Sequence, residues 1–167
     1  VGSIDEIYSL IEEDLKEAIP NLPESRSSSE IYKVKKGAAQ ALLGKVYLYH
    51  GKYNDAANQF NQVINSGRYQ LLTGSEFRNL FTRNGENSSE SVFEIQYTGV
   101  VGNNWDCLHC NAGNYMPQSN GPRAPFDDNT YKPGWGINIF TKYLYQQYEP
   151  SDIRRDVTFL APLDGSY

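Results

Sequence analysis

The chain has 167 residues, enough for a domain with a sizeable core, and its 39% hydrophobic and 21% charged residues describe a globular rather than a disordered composition. A net charge of -5 and a pI near 5.0 leave no basic stripe for nucleic acid. No run approaches the roughly 18 apolar residues of a membrane-spanning helix.

The opening residues, VGSIDEIYSL, read as a helix entry and not as a signal peptide, as expected of a mature form or a fragment of a longer protein. Ser3 and Glu6 have the spacing of a capping box. Behind them Ile4, Ile7, Tyr8, Ile11, Leu15 and Ala18 recur at helical spacing, which predicts a helix from Ile4 to Ile19 closed by Pro20. The segment PNLPESRSSSE is a loop, with two prolines and a serine cluster. Lys33 to Lys36 form the solvated start of a second helix, which should run from Lys35 to His50 and end at Gly51. A third helix is expected to be capped by Asn54, to carry Ala56, Ala57, Phe60, Val63 and Ile64, and to end at Gly67 in the left-handed conformation. Phe77, Leu80 and Phe81 share the face of a short helical turn from Ser75 to Phe81.

The character then changes. SVFEIQY alternates like a strand, with Phe93, Ile95 and Tyr97 on one side. From Gly99 to Gly136 there is no periodicity, only Gly, Asn, Pro and aromatic residues. A last amphipathic helix is expected from Asn138 to Tyr148, with another turn beginning in SDIRRD after Pro150.

Within the middle helical pair, Gly44, Tyr47, Gly51, Tyr53, Ala56 and Phe60 match the tetratricopeptide pattern of small residues and aromatics. Gly44 and Ala56 let two helices approach, while Tyr47, Tyr53 and Phe60 read as packing residues; Tyr49 and Tyr69 are left open. A free-standing array needs about three repeats, and this chain has one good copy, so the repeat is embedded in another fold.

The order of segments is informative. IYSLIEEDLKEAIPNLP, then KKGAAQALLGKVYLYHGKYNDAANQFNQVINSGRYQLL, then ENSSESVFEIQY, then GWGINIFTKYLYQQYEPSDIRRDVTFL closely resembles the middle of a SusD/RagB protein. The resemblance implies a mainly all-α, SusD-like fold of tetratricopeptide-like hairpins with long irregular loops and a minor β element. It implies a single partial domain, with a helical scaffold over 1–82, a strand and aromatic ligand loop over 83–137, and a helix and tail over 138–167. It further implies a non-catalytic nutrient-binding lipoprotein of the Bacteroidetes cell surface, without a cofactor. Such a protein holds an oligosaccharide for a TonB-dependent, SusC-like outer-membrane transporter and meets the membrane only through a lipid anchor outside these residues. A peptide-binding member of the family, or a tetratricopeptide-like adaptor that binds only protein, are the alternatives.

Residue type places the ligand in the unperiodic loop. Sugars present apolar C–H faces and rings of hydroxyls, so a binder needs aromatic plates beside amide, carboxylate or guanidinium groups. Trp105, Tyr115 and Trp135, with Asn103, Asn104, Asp106 and Arg123, are the candidate ligand contacts. Trp135 lies between Gly134 and Gly136 and fits a tight turn against the core as well as a ligand platform. Cys107 and Cys110 read as a local disulfide or two free thiols rather than a redox or metal pair, since no helix follows and zinc lacks further ligands. Asp127, Asp128 and Asn129 lack the spacing of a calcium loop and read as a solvated turn. Glu12 and Glu13 read as helix-surface charges, and neither this pair nor Glu86 with Glu90 makes a glycosidase site. Asp152 and Arg154 read as a structural pair locking a chain reversal.

Overall fold

The computed structural model describes residues 2–96, 116–121, 123 and 133–159. The chain divides into two compact units, Val1–Ile95 and Gln96–Tyr167.

The first unit is built from α1 (Ile4–Asn21), α2 (Lys36–Tyr49), α3 (Tyr53–Ile64) and the short α4 (Ser75–Asn79). The capping box of α1 forms as its spacing predicts: Glu6 N–H donates to Ser3 Oγ at 3.2 Å, and Ser3 N–H donates to Glu6 Oε2 at 2.7 Å. Pro20 does not close α1, which continues to Asn21. A proline in the last turn removes only one donor. The next positions repair the end, with Leu22 N–H donating to the Ala18 carbonyl at 3.1 Å and the Asn21 side-chain amide to the Glu17 carbonyl at 2.9 Å.

The loop after α1 is stapled. Arg26 donates twice to the Val34 carbonyl, at 3.2 and 3.1 Å, around a 3-10 turn at Ser28–Glu30. Glu24 accepts from Lys36 at 2.9 Å and from Arg68 at 3.2 Å, tying the loop both to the start of α2 and to the segment after α3.

α2 and α3 form the hairpin, and its core is Leu43, Tyr47 and Ala56, with Leu15, Ile19 and Phe60 packed against it. Gly44 is required where the helices touch, because a Cβ there would lie 2.6 Å from Phe60 Cε1. Gly67 takes the expected left-handed conformation, at φ +69°. Asn54 does not cap α3; the helix starts one residue earlier, with Lys52 at the capping position and no side-chain bond there. Tyr53 is 69% exposed and does not pack within the hairpin. In repeat proteins that flank of a helix meets the neighbouring repeat, and the described residues supply none. Tyr69 does pack: its ring lies over Gly37, where a Cβ would collide with the phenol. Burial raises the Tyr69 hydroxyl above the ordinary tyrosine value. Tyr49 is exposed, with Lys45 Nζ 5.8 Å from its ring centroid.

Glu12 is not a surface charge. It is 3% exposed, facing the turn between α2 and α3. Lys52 Nζ donates to its two oxygens at 2.7 and 2.8 Å, His50 Nδ1 lies 2.9 Å away, and Lys16 Nζ is at 3.6 Å. Tyr8 stacks on the His50 ring with centroids 4.5 Å apart. Burial pushes the Glu12 carboxyl up, but the hydrogen bonds from Lys52 and His50 and the Lys52 and Lys16 charges outweigh it and hold the group below the usual carboxylate value. One carboxylate thus ties α1 to the hairpin.

The predicted strand is not formed: residues 91–96 run without regular structure, and no strand occurs among the described residues. Glu94 within the segment and Glu90 just before it serve the main chain instead. Glu94 accepts from Asn87 N–H at 2.9 and 3.0 Å, while Asn87 sits at φ 55°. Glu90 accepts from Leu72 N–H at 2.8 Å, beside a Gln70 to Ser89 main-chain bond of 3.0 Å. Alternation alone does not make a strand without a neighbouring ladder.

The second unit contains α5 (Met116–Asn120), α6 (Lys142–Gln146) and α7 (Ile153–Thr158). α6 is shorter than the spacing predicts because Thr141 caps it, accepting from Leu144 N–H at 3.2 Å. Phe159, 8% exposed, gathers Phe140, Tyr145 and Tyr148, with ring centroids at 4.6, 5.8 and 5.2 Å.

Candidate functional site

Two of the candidate ligand residues, Trp135 and Arg123, are described, and the structure brings them together. Residues 134–138 run along the end of α5. Trp135 N–H donates to the Gln118 carbonyl at 2.7 Å, Gly136 N–H to the Gly121 carbonyl at 2.9 Å, and Ile137 N–H to the Ser119 carbonyl at 3.0 Å. The carbonyls at the end of a helix lack intrahelical donors, so a passing strand of chain satisfies them. The Asn138 side-chain amide adds a bond to Asn120 Oδ1 at 3.1 Å.

Both glycines beside Trp135 have a steric reason. A Cβ on Gly134 would lie 2.5 Å from the Gly121 Cα, and Gly136 sits at φ +59° with Arg123 Cγ 2.8 Å from where its Cβ would be. Arg123 Nε donates to the Trp135 carbonyl at 2.8 Å. Arg123 is exposed and Trp135 half-buried. The outcome is a tryptophan whose main chain is bonded on both sides, so its indole has few backbone degrees of freedom left. A preorganised ring of this kind binds a flat apolar face with less loss of freedom. Trp105, Tyr115, Asn103, Asn104 and Asp106 lie outside the described residues, as do the Cys107–Cys110 pair and residues 127–129.

Farther along, Asp152 caps α7, accepting from Arg154 N–H at 2.9 Å, and takes Arg154 Nε at 2.9 and 3.1 Å. The Arg154 side chain holds the Asp152 carboxyl below its ordinary value. This is the structural pair expected from its spacing. It borders a polar cleft of about 450 Å³ with Gln147, Tyr148 and Glu149.

No family model matches the chain. Similarity comes from individual proteins. The chain is 30% identical over 156 residues to SusD-like protein P2 of Formosa agariphila, covering 92% of this chain and 29% of that protein. A solved laminarin binding SusD-like protein superposes with a TM-score of 0.82 at 31% identity, over 93% of this chain and 36% of the other. Over nine-tenths of its length the chain is similar to SusD-like (SusD/RagB) proteins. Surface glycan-binding protein A from Bacteroides thetaiotaomicron, solved in complex with laminarihexaose, superposes at 0.79 with 27% identity, over 91% of this chain and 34% of the other. The mainly helical architecture is therefore that of SusD-like proteins. The chain spans about a third of the length of these relatives.

The sequence missed two features of this SusD-like chain. Glu12 gives no signal beyond its place four residues before Lys16. The bracing of Trp135 by α5 is non-local, and only the flanking glycines hint at it.

Proposed function

We propose that this chain is part of a cell-surface glycan-binding protein that captures oligosaccharides and delivers them to a TonB-dependent outer-membrane transporter. The protein binds and does not catalyse. The observation that carries this reading is the superposition, at a TM-score of 0.79, on a surface glycan-binding protein solved with laminarihexaose. The braced Trp135 adds support, since a fixed indole suits stacking on a sugar face. In this reading Trp135 is a stacking plate, Arg123 positions it and offers donors at its edge, and Trp105, Tyr115, Asn103, Asn104 and Asp106 complete the contacts.

Affinity electrophoresis in gels containing laminarin or other polysaccharides tests the reading, with Trp105→Ala and Trp135→Ala compared with the unaltered chain. Retardation by a glycan that is lost in either variant is the expected result. A chain that is retarded equally with and without both tryptophans has its site elsewhere.

A further inference from the structure

We infer that α3 carries a second, neutral-carbohydrate contact site on the first unit. A cleft of about 500 Å³ runs along α3, lined by Asp55, Asn58, Gln59, Gln62 and Asn65, with Tyr47 at its floor. These helix positions are spaced three and four apart and lie on one face, which extends about 15 Å from Asp55 to Asn65. Among the described residues no lysine or arginine lines the cleft and Asp55 does, which disfavours an anion. The lining is mostly polar, so an apolar ligand is disfavoured as well.

Carboxamides have what a sugar needs. Each presents a donor and an acceptor side by side, matching the donor and acceptor of adjacent hydroxyls. Two details make the site more than a wetted helix face. Gln40, 8% exposed, donates from Nε2 to Gln62 Oε1 at 2.7 Å, so a buried side chain fixes the Gln62 amide. Gln59 Oε1 is buried and meets no donor among the described residues, and a turn of its amide toward the cleft would bring it within reach of a ligand hydroxyl. The composition agrees. Asn is a weak helix former, yet α3 contains Asn54, Asn58 and Asn61 and no Lys, Arg or Glu. A face that met water alone would be better served by those long charged residues.

The inference takes its ligand class from the lining and does not require Trp135. The test uses the full 167-residue chain, in unaltered and Trp135→Ala forms, with laminarihexaose and xylohexaose as probes. Side-chain amide NMR signals of Asn58, Gln59 and Gln62 are followed during titration. The expected result is that one probe moves them in both forms. Gln59→Met should then weaken that response by about fivefold, the effect of one lost hydrogen-bonding group. Asn58→Ala with Asn65→Ala, which spares the Gln40–Gln62 bond, should weaken it comparably. Signals that neither probe moves overturn the proposal, whether water or a polypeptide segment outside these residues covers the face. So does a response that Trp135→Ala abolishes, or one that survives both sets of variants. Loss of gel retardation alone on Trp135→Ala, with the α3 signals still responding, supports both sites. Retardation unaffected by the tryptophans, with those signals responding, removes the loop reading and leaves this one.

Discussion

Lys52 donates to both carboxylate oxygens of Glu12, at 2.7 and 2.8 Å, across the junction of α1 with the α2–α3 turn. The carboxylate is buried while the ammonium remains partly exposed, with 5% and 38% side-chain exposure. Removing the buried member leaves Lys52 able to reach water, so the loss should be smaller than for a fully enclosed pair. Glu12→Ala is expected to lower unfolding stability by about 2 kcal/mol. Urea denaturation followed by far-ultraviolet circular dichroism measures it, and an unchanged midpoint would show that the contact adds nothing net.

The same pair sets a pH dependence. In the fold Glu12 titrates below its unfolded value of 4.5, so the unfolded chain takes up a proton more readily. The stabilisation is complete above that unfolded value and is lost as pH falls through the folded one. The difference in urea midpoint between the unaltered chain and Glu12→Gln should therefore be constant near neutrality and shrink below about pH 4.5. A difference that grows on acidification contradicts the assignment.

Gly44 and Phe60 make the closest approach of the hairpin. Gly44→Ala places a methyl 2.6 Å from Phe60 Cε1, and the ring must shift. Overpacking of this kind costs about 1–3 kcal/mol. Shortening the partner should relieve it: Gly44→Ala with Phe60→Leu should cost less than the two single changes added together. Strict additivity in thermal or urea unfolding would mean that the methyl finds space without Phe60.

These contacts explain what could be read in advance and what could not. Gly44, Tyr47, Ala56 and Phe60 were legible because helix–helix packing is written at fixed local spacing, and so was the Ser3–Glu6 cap. Asp152 and Arg154 were legible for the same reason, being two residues apart. Glu12 was misread because its partners are 38 and 40 residues away, and a single-helix pattern cannot tell a charge facing solvent from one facing another element's turn. Residues 91–96 were misread because alternation records which sides differ, not whether a partner strand exists. Within the ligand loop, residue type identified Trp135 and Arg123, but the bond between them joins a side chain to a carbonyl 12 residues on.

That bond gives the last prediction. Arg123 Nε donates to the Trp135 carbonyl while its Cγ lies under Gly136, so the side chain supports the turn by a hydrogen bond and by contact. Arg123→Met keeps much of the aliphatic contact and removes the donor, and Arg123→Ala removes both. In a Trp105→Phe background, where Trp135 is the remaining tryptophan, acrylamide quenching reports its exposure. Quenching should rise modestly in Arg123→Met and further in Arg123→Ala. Glycan retardation should fall in the same order, because a less constrained indole loses more freedom on stacking. If Arg123 contacts ligand without holding Trp135, both variants will weaken retardation while quenching stays at the level of the background chain. If it does neither, both readouts will stay unchanged.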